Sequence, residues 1–248
     1  MEQAVLAAPD DDAPRLAYAD AVEKADPERA EFIRLQLDLA KWRKAHQDPP
    51  QSMKASARWQ QLKDRRGADW AKPLAGLVDK WQYLRGFVEV IWSDATAFLA
   101  NAEDIYRRAP VLHLDLSGVK PVAAKLFSSP HLSRIHSLNL SNNGLDDADA
   151  KAIAASSQLG NLRWLDLRNN KIGAAGLEAL ASSSNLPRLQ YLGLESNTLD
   201  DPTPRHADEY DAEHPTATAL QKKYGRRPWL SMESARKFPK WPPDRDEI

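Results

Sequence analysis

The chain of 248 residues contains no cysteine. That excludes disulfides, thiolate metal sites and a cysteine nucleophile, and it fits a reducing, cytoplasmic setting. An excess of charge is absent too: 34 Lys and Arg stand against 35 Asp and Glu, a formal net charge of −1. No global field therefore draws the chain to nucleic acid or to an acidic membrane surface. No apolar run reaches membrane-spanning length. Met1-Glu2-Gln3-Ala4 has neither the basic start nor the apolar core of a signal peptide. No motif calls for a cofactor. The expectation is a soluble protein, long enough for one sizeable core or for a repeat array with appendages.

What the chain does have is a phrase that occurs three times. Leu138-x-Leu140-x-x-Asn143-x-Leu145 returns as Leu165-x-Leu167-x-x-Asn170-x-Ile172 and as Leu192-x-Leu194-x-x-Asn197-x-Leu199, 27 residues apart each time. A fixed period of this length marks a solenoid, in which each unit buries its apolar face against its neighbours. With the preceding apolar position, at Ile135, Leu162 and Leu189, each unit reads L-x-x-L-x-L-x-x-N-x-L. The central L-x-L alternates with a period of two, as a strand buried on one face does. The asparagine falls where the chain must turn, and its side chain can bond backbone groups otherwise buried unpaired. Asn143, Asn170 and Asn197 are thus expected to form a structural ladder. A helix follows the turn, over residues 148–155 and again over 173–181. Upstream the pattern decays. Val111, Leu114 and Leu116 fit the strand, with Val119 in the asparagine's place and a helix over residues 122–127. Residues 87–92 and a helix over 94–108 read as a degenerate first repeat. Terminal repeats are atypical because they cap the stack.

Strand, turn and helix in this order resemble a leucine-rich repeat of the ribonuclease-inhibitor-like subclass. The resemblance implies an α/β leucine-rich-repeat solenoid over residues 86–200, with about five repeats, the first two degenerate. Parallel strands would line the concave face and helices the convex face. Ahead of it, Asp10-Asp11-Asp12 before Pro14, and Asp26-Pro27, each start a helix, with carboxylate at the positive end and proline in the first turn. The apolar stripes Leu16, Ala19, Val22 and Ile33, Leu37, Ala40 complete a predicted helical hairpin. The phrases Pro9-Asp10-Asp11-Asp12-Ala13-Pro14-Arg15-Leu16-Ala17-Tyr18-Ala19-Asp20 and Glu31-Phe32-Ile33-Arg34-Leu35-Gln36 are similar to the bacterial repeat-companion domain, which precedes leucine-rich and other repeats. Trp70 and Arg85-Gly86-Phe87 are similar to the segment that joins it to them. One departure is Ala21, where that domain carries tryptophan. The resemblance implies a bacterial repeat protein with this module at residues 1–48, and it lends no catalytic residue. The missing cysteine excludes the ubiquitin-ligase chemistry of some bacterial leucine-rich-repeat effectors. Residues 49–85, with Trp59, Leu62, Trp70, Leu74, Leu77 and Trp81, read as a helical linker capping the first repeat, and residues 201–248 as a C-terminal cap.

Residues alternating with the buried leucines would point outward on the concave face. They are His113, Asp115 and Ser117; Ser137, Asn139 and Ser141; Trp164, Asp166 and Arg168; Tyr191, Gly193 and Glu195. Exposed tryptophan, tyrosine and arginine are the usual anchors of a protein interface. Trp164, Asp166, Arg168, Tyr191, Glu195, His113, Asp115 and Asn139 are therefore the candidate partner-binding residues. A structural reading stands beside this one: Trp164 stacks on Tyr191 across neighbouring strands. His113, Asp115 and Ser117 imitate a catalytic triad only superficially, because side chains from alternate positions of one strand run parallel instead of converging.

Elsewhere, Arg15, Tyr18, Asp20, Arg34 and Gln36 form a small polar site or pair among themselves. Pairing is favoured, since buried polar groups must find partners. Lys54, Arg58, Lys63, Arg65 and Arg66 make a basic stretch. Arg226-Arg227-Pro228-Trp229-Leu230 and Phe238-Pro239-Lys240-Trp241-Pro242-Pro243 mix cations with aromatics; they read as nucleic-acid contacts or, the favoured reading, as a cap over the last repeat. Residues 206–214 hold histidines and carboxylates without metal-ligand spacing and read as a solvated acidic loop. The expected protein is a monomeric, non-catalytic scaffold that binds a partner protein through its concave face. The alternative is a nucleic-acid-associated adaptor using residues 54–66 and 222–241, which the near-neutral charge disfavours.

Overall fold

Proline-marked helix starts and one tight turn shape the N-terminal part of the protein. The computed structural model describes residues 2–198 and 215–230. These fall into two compact units: residues up to Ile91 with Asn101–Leu112, and Trp92–Ala100 with the described residues from His113 onward. The first unit contains α1 (Glu2–Ala7), α2 (Ala13–Val22), α3 (Pro27–Lys44) and α4 (Ser52–Ala71), then β1 (Lys80–Leu84) and most of β2 (Phe87–Asp94). Asp26 caps α3 by accepting from the Arg29 N–H at 3.0 Å. At α2 the capping oxygen belongs to Asp11, which accepts from the Ala13 N–H at 2.9 Å, and Asp12 is left for an ion pair. The predicted hairpin is in fact three helices. α1, with 6 residues, is under two turns and too short to display a helical period. Its Val5 is nonetheless fully buried among Ala19, Ala30, Ile33, Leu37 and Phe87.

The stretch read as a helical linker holds α4 but then becomes a strand, β1. The cause is the turn that follows it. Arg85 and Gly86 have φ of 49° and 87°, the pair of positive values that closes a two-residue hairpin. Only glycine fits the second position, because a Cβ there would lie 2.8 Å from the Ile33 Cα of α3. Gln36 of α3 secures the contact: its Oε1 accepts from the Gly86 N–H at 2.6 Å and its Nε2 donates to the Tyr83 carbonyl at 3.2 Å.

The division between the units runs through β2 and α5 (Ala95–Tyr106). The second unit continues with β3 (His113–Ser117), α6 (Ala123–Phe127), β4 (Ser137–Asn139), α7 (Asp147–Ala155), β5 (Trp164–Asp166), α8 (Ala174–Ser182), β6 (Tyr191–Gly193) and α9 (Pro215–Tyr224). Strands β3 to β6 pair in parallel and in sequence order, with Leu114, Leu138, Leu165 and Leu192 in register. These leucines, with Leu116, Leu140 and Leu167, are buried, and burial of such side chains contributes roughly 1.5–3 kcal/mol each. The alternation of parallel strand and helix is the α/β repeat read from the sequence.

The repeats also lend each other caps. α7 has its own capping box, Asp146 with Asp149. α8 begins at Gly173, which has no side chain to cap with. Asp147 of α7 supplies the oxygen instead, accepting from the N–H groups of Gly173 (2.6 Å) and Gly176 (3.0 Å). A Cβ on Gly176 would meet that oxygen at 2.6 Å and the Ala150 Cβ at 3.0 Å, so the two helices are as close as glycine permits. At the far end α9 packs on α8, and the turn Pro228–Leu230 packs on β6. Leu220, Trp229 and Leu230 are buried there. Leu199, the acidic stretch 206–214 and the aromatic segment 238–243 lie outside the described residues.

Candidate functional site

Each strand of the repeats ends in a left-handed residue before its asparagine. Asn142, Asn169 and Ser196 hold φ of 60°, 55° and 57°, a region that asparagine enters more readily than most residues. The next residue then reaches back into the preceding repeat. Asn143 accepts from the Val119 N–H at 2.9 Å and donates to the Leu116 carbonyl at 2.8 Å. Asn170 accepts from the N–H groups of Asn143 and Leu145, both at 3.0 Å, and donates to the carbonyls of Leu140 (3.0 Å) and Leu167 (2.8 Å). Asn197 accepts from the Ile172 N–H at 2.9 Å and donates to the Leu167 carbonyl at 2.8 Å. The turns are rigid, and they fix the strand face beside them.

Two rows of side chains cross that face in register: His113, Ser137, Trp164, Tyr191, and Asp115, Asn139, Asp166, Gly193. Here one expectation is corrected. The sequence predicts Trp164 as a solvated anchor, yet its exposure is 0 %, with 0 % at Asp166 and 2 % at His113. Alternation fixes which face a side chain takes but not how its neighbours close over it. Small Ser137 stands between His113 and Trp164, and its Oγ is 2.8 Å from the His113 Nδ1. Asp166 is buried because Arg168 wraps it, with Nε at 2.9 Å and Nη2 at 2.5 Å from its Oδ2, while the Arg168 N–H donates to Oδ1 at 2.9 Å. Those hydrogen bonds hold the Arg168 pKa above its ordinary value. Asn139 donates to Asp115 at 2.8 Å. His113 thus meets Ser137, and Asp115 meets Asn139. The part of the face open to solvent is its rim: exposed Ser117 and Glu195, half-buried Tyr191, Arg168, Asp115 and Asn139.

In the first unit the polar residues of the two sequence phrases have partners. Arg34 pairs with Asp20 (2.7 Å) and Glu23 (3.0 Å). Arg15, fully buried, pairs with Glu89 at 3.0 Å and donates to the carbonyls of Pro9 (2.7 Å) and Arg85 (3.2 Å). Arg85 pairs with Glu89 at 2.8 Å and with Asp12 at 3.0 Å. Sequence reasoning missed Glu89 and Arg85. The signal was a lone carboxylate inside the apolar run Phe87-Val88-Glu89-Val90-Ile91, since a charge buried in a strand needs a cation.

Among the described residues, several cations of the basic stretches have local partners. Arg58 chelates Glu31 at 2.7 and 2.8 Å, Arg66 meets Glu28 (3.0 Å) and Asp26 (3.3 Å), and Arg65 also pairs with Glu28. Lys223 pairs with Glu178 at 2.5 Å, and Arg227 donates to the Ala181 carbonyl at 3.1 Å. Among the described residues no cluster of three metal-ligating side chains occurs, and no helix is long and apolar enough to cross a membrane.

Compared with known families, residues 131–154 and 161–181 match a model described as Leucine Rich repeat. Residues 131–181 carry leucine-rich repeats. No curated protein matches the chain. The matched leucine-rich repeats contain β4, β5, Asn143 and Asn170. Leucine-rich repeats are commonly protein–protein interaction modules and typically non-catalytic.

Proposed function

We propose that this protein is a non-catalytic scaffold that binds a partner protein through the strand face of its leucine-rich repeats. In this reading the repeats are ribonuclease-inhibitor-like, the strands line the concave side of a short solenoid, and residues 1–48 are a bacterial repeat-companion module. The observation that supports it most is the rim of the strand face. Half-buried Tyr191 and exposed Glu195 stand beside the Arg168–Asp166 pair, next to turns tied by asparagine. Buried Trp164 and His113 serve as the floor of the face. Strands about 4.8 Å apart make a face on the order of 20 Å across, which suits a helix or loop of the partner. The monomer is the binding form.

The test is affinity capture from native lysate, with and without nuclease, comparing wild type with Tyr191→Ala/Glu195→Lys. Both positions have solvent exposure, so the variant should fold. A protein captured despite nuclease and lost in the variant is the expected result. Capture that survives the variant and vanishes with nuclease would transfer the function to the basic segments and to nucleic acid.

A further inference from the structure

The buried charges of the first unit do not balance. Arg15 and Arg85 share Glu89, and Asp12 serves Arg85 from the rim. Arg29 is only 8 % exposed, and among the described residues no carboxylate forms an ion pair with it. Asp26, three residues earlier, is already engaged by the Arg29 backbone N–H (3.0 Å), the Trp70 indole (2.9 Å) and Arg66 (3.3 Å). Rings surround the guanidinium instead: Phe87 at 4.9 Å, Trp70 at 5.1 Å, Phe32 at 5.7 Å and Tyr83 at 5.8 Å. Their faces attract a cation. Nη1 is buried without a hydrogen-bond partner. Phe87 is also shared, because Arg15 lies over it at 5.3 Å.

A buried guanidinium nitrogen without a hydrogen-bond partner is costly, and an incoming anion removes that cost. Tyr18 marks where it would enter. Its side chain is half-buried, its ring is edge-on to Phe87 at 5.4 Å, and its hydroxyl lies beside the Arg29 guanidinium. We propose that the first unit binds an oxyanion, a carboxylate or a phosphate group, at the unpartnered Nη1 of Arg29, with the hydroxyl of Tyr18 beside it. The guanidinium supplies the N–H donors of Nη1 and the phenol hydroxyl a further one. Glu2 and Asp26 are the carboxylates whose charge reaches this position. Their repulsion favours an anion of single charge over one of higher charge.

The test is the melting temperature of the full chain in acetate and in phosphate, each against chloride at equal ionic strength. Binding to the native state alone should raise it by roughly 3–5 °C at ten times the dissociation constant. Arg29→Met should abolish the rise and, in chloride, melt no lower than wild type. A rise with both anions identifies a carboxylate as sufficient; a rise with phosphate alone identifies a phosphoryl group. No rise with either, or an equal rise in Arg29→Met, as general exclusion of salt from the surface would give, overturns the proposal. Should Arg29→Met fail to fold, the Arg29 Nε–H resonance of the wild type decides. It should shift on titration with the active anion, less so in Tyr18→Phe, and a resonance that does not move overturns the site.

Discussion

In the repeat unit the buried polar groups that tie the backbone together are amides, uncharged and periodic. In the first unit they are two guanidiniums, a carboxylate and the single amide of Gln36, none of them repeated. Both sets meet the same need, backbone groups that secondary structure leaves unpaired. Asn143, Asn170 and Asn197 meet it with one arrangement copied at every turn, because parallel register returns the same carbonyls to the same place. The first unit has no repeated neighbour. Its loop before α2 is held by long side chains from elsewhere: Arg15 and Arg85 both donate to the Pro9 carbonyl, at 2.7 and 2.8 Å. Charge reaches further than an amide but must itself be neutralised, which is why Glu89 is buried between them. The periodic solution should tolerate a missing member better than the unique one.

The most severe way to test that contrast is to remove the shared carboxylate. Glu89→Ala leaves two buried cations without their partner, and breaking a buried pair costs about 3–5 kcal/mol. The urea midpoint of the first unit should collapse; a loss under about 1 kcal/mol would mean that Arg15 and Arg85 are held by the carbonyls alone. Next in size is an effect of pH. Tyr83 is buried, its hydroxyl donates to the Gly67 carbonyl at 2.7 Å, and burial pushes its phenol up to about 12. The unfolded phenol ionises near pH 10. A folded-state pKa raised in this way gives stability that is complete below about pH 10 and is lost as pH rises toward about 12. That difference corresponds to about 2–3 kcal/mol, and Tyr83→Phe should flatten the alkaline limb of the stability profile while leaving the repeat unit's own pH profile unchanged.

In the repeat unit the corresponding test is smaller. Asn170→Ala strands the N–H groups of Asn143 and Leu145 and takes a donor from the Leu140 carbonyl, while the Leu167 carbonyl keeps Asn197, at a cost of about 1–3 kcal/mol. Hydrogen exchange should accelerate at Asn143 and Leu145 while the amides of α3 keep their protection. Equal acceleration in both places would mean that the ladder supports the whole chain and not its own repeat.

What could be read in advance follows the same division. The leucine period declared the strands, their parallel order and the asparagine turns, because a feature copied three times outweighs local ambiguity. The cross-repeat cap was invisible: Asp147 looks like any acidic residue in a helix's first turn, and only the register shows that its oxygen reaches the next helix. The solvation of the strand face was misjudged at Trp164, since alternation names a face without saying what packs along it. In the first unit the helix starts were legible from Asp26-Pro27 and Asp10-Asp11-Asp12. The helix α1 was too short to leave a period. Arg85 could have been found, because Arg85-Gly86 before a strand is turn chemistry; Arg29 could not, since nothing in the sequence distinguishes it from the surface arginines Arg34 and Arg58.

The smallest expected effect concerns the caps. α7 caps itself with Asp146, whose carboxyl is held at about 2 by Lys120 at 2.6 Å and by backbone N–H groups. α8 depends on Asp147 from the helix before it. If periodic units hold together chiefly through neighbours, the borrowed cap should matter at least as much as the local one. Replacement of a capping carboxylate typically costs about 1 kcal/mol. Asp146→Ala should weaken α7 alone, and acid should imitate it only below about pH 4, as the carboxyl titrates toward 2. Asp147→Ala should weaken α8, seen as faster exchange at Gly173 and Gly176, the two donors that lose their acceptor. Faster exchange in α7 and unchanged exchange in α8 would place the cap within the repeat and undo the comparison.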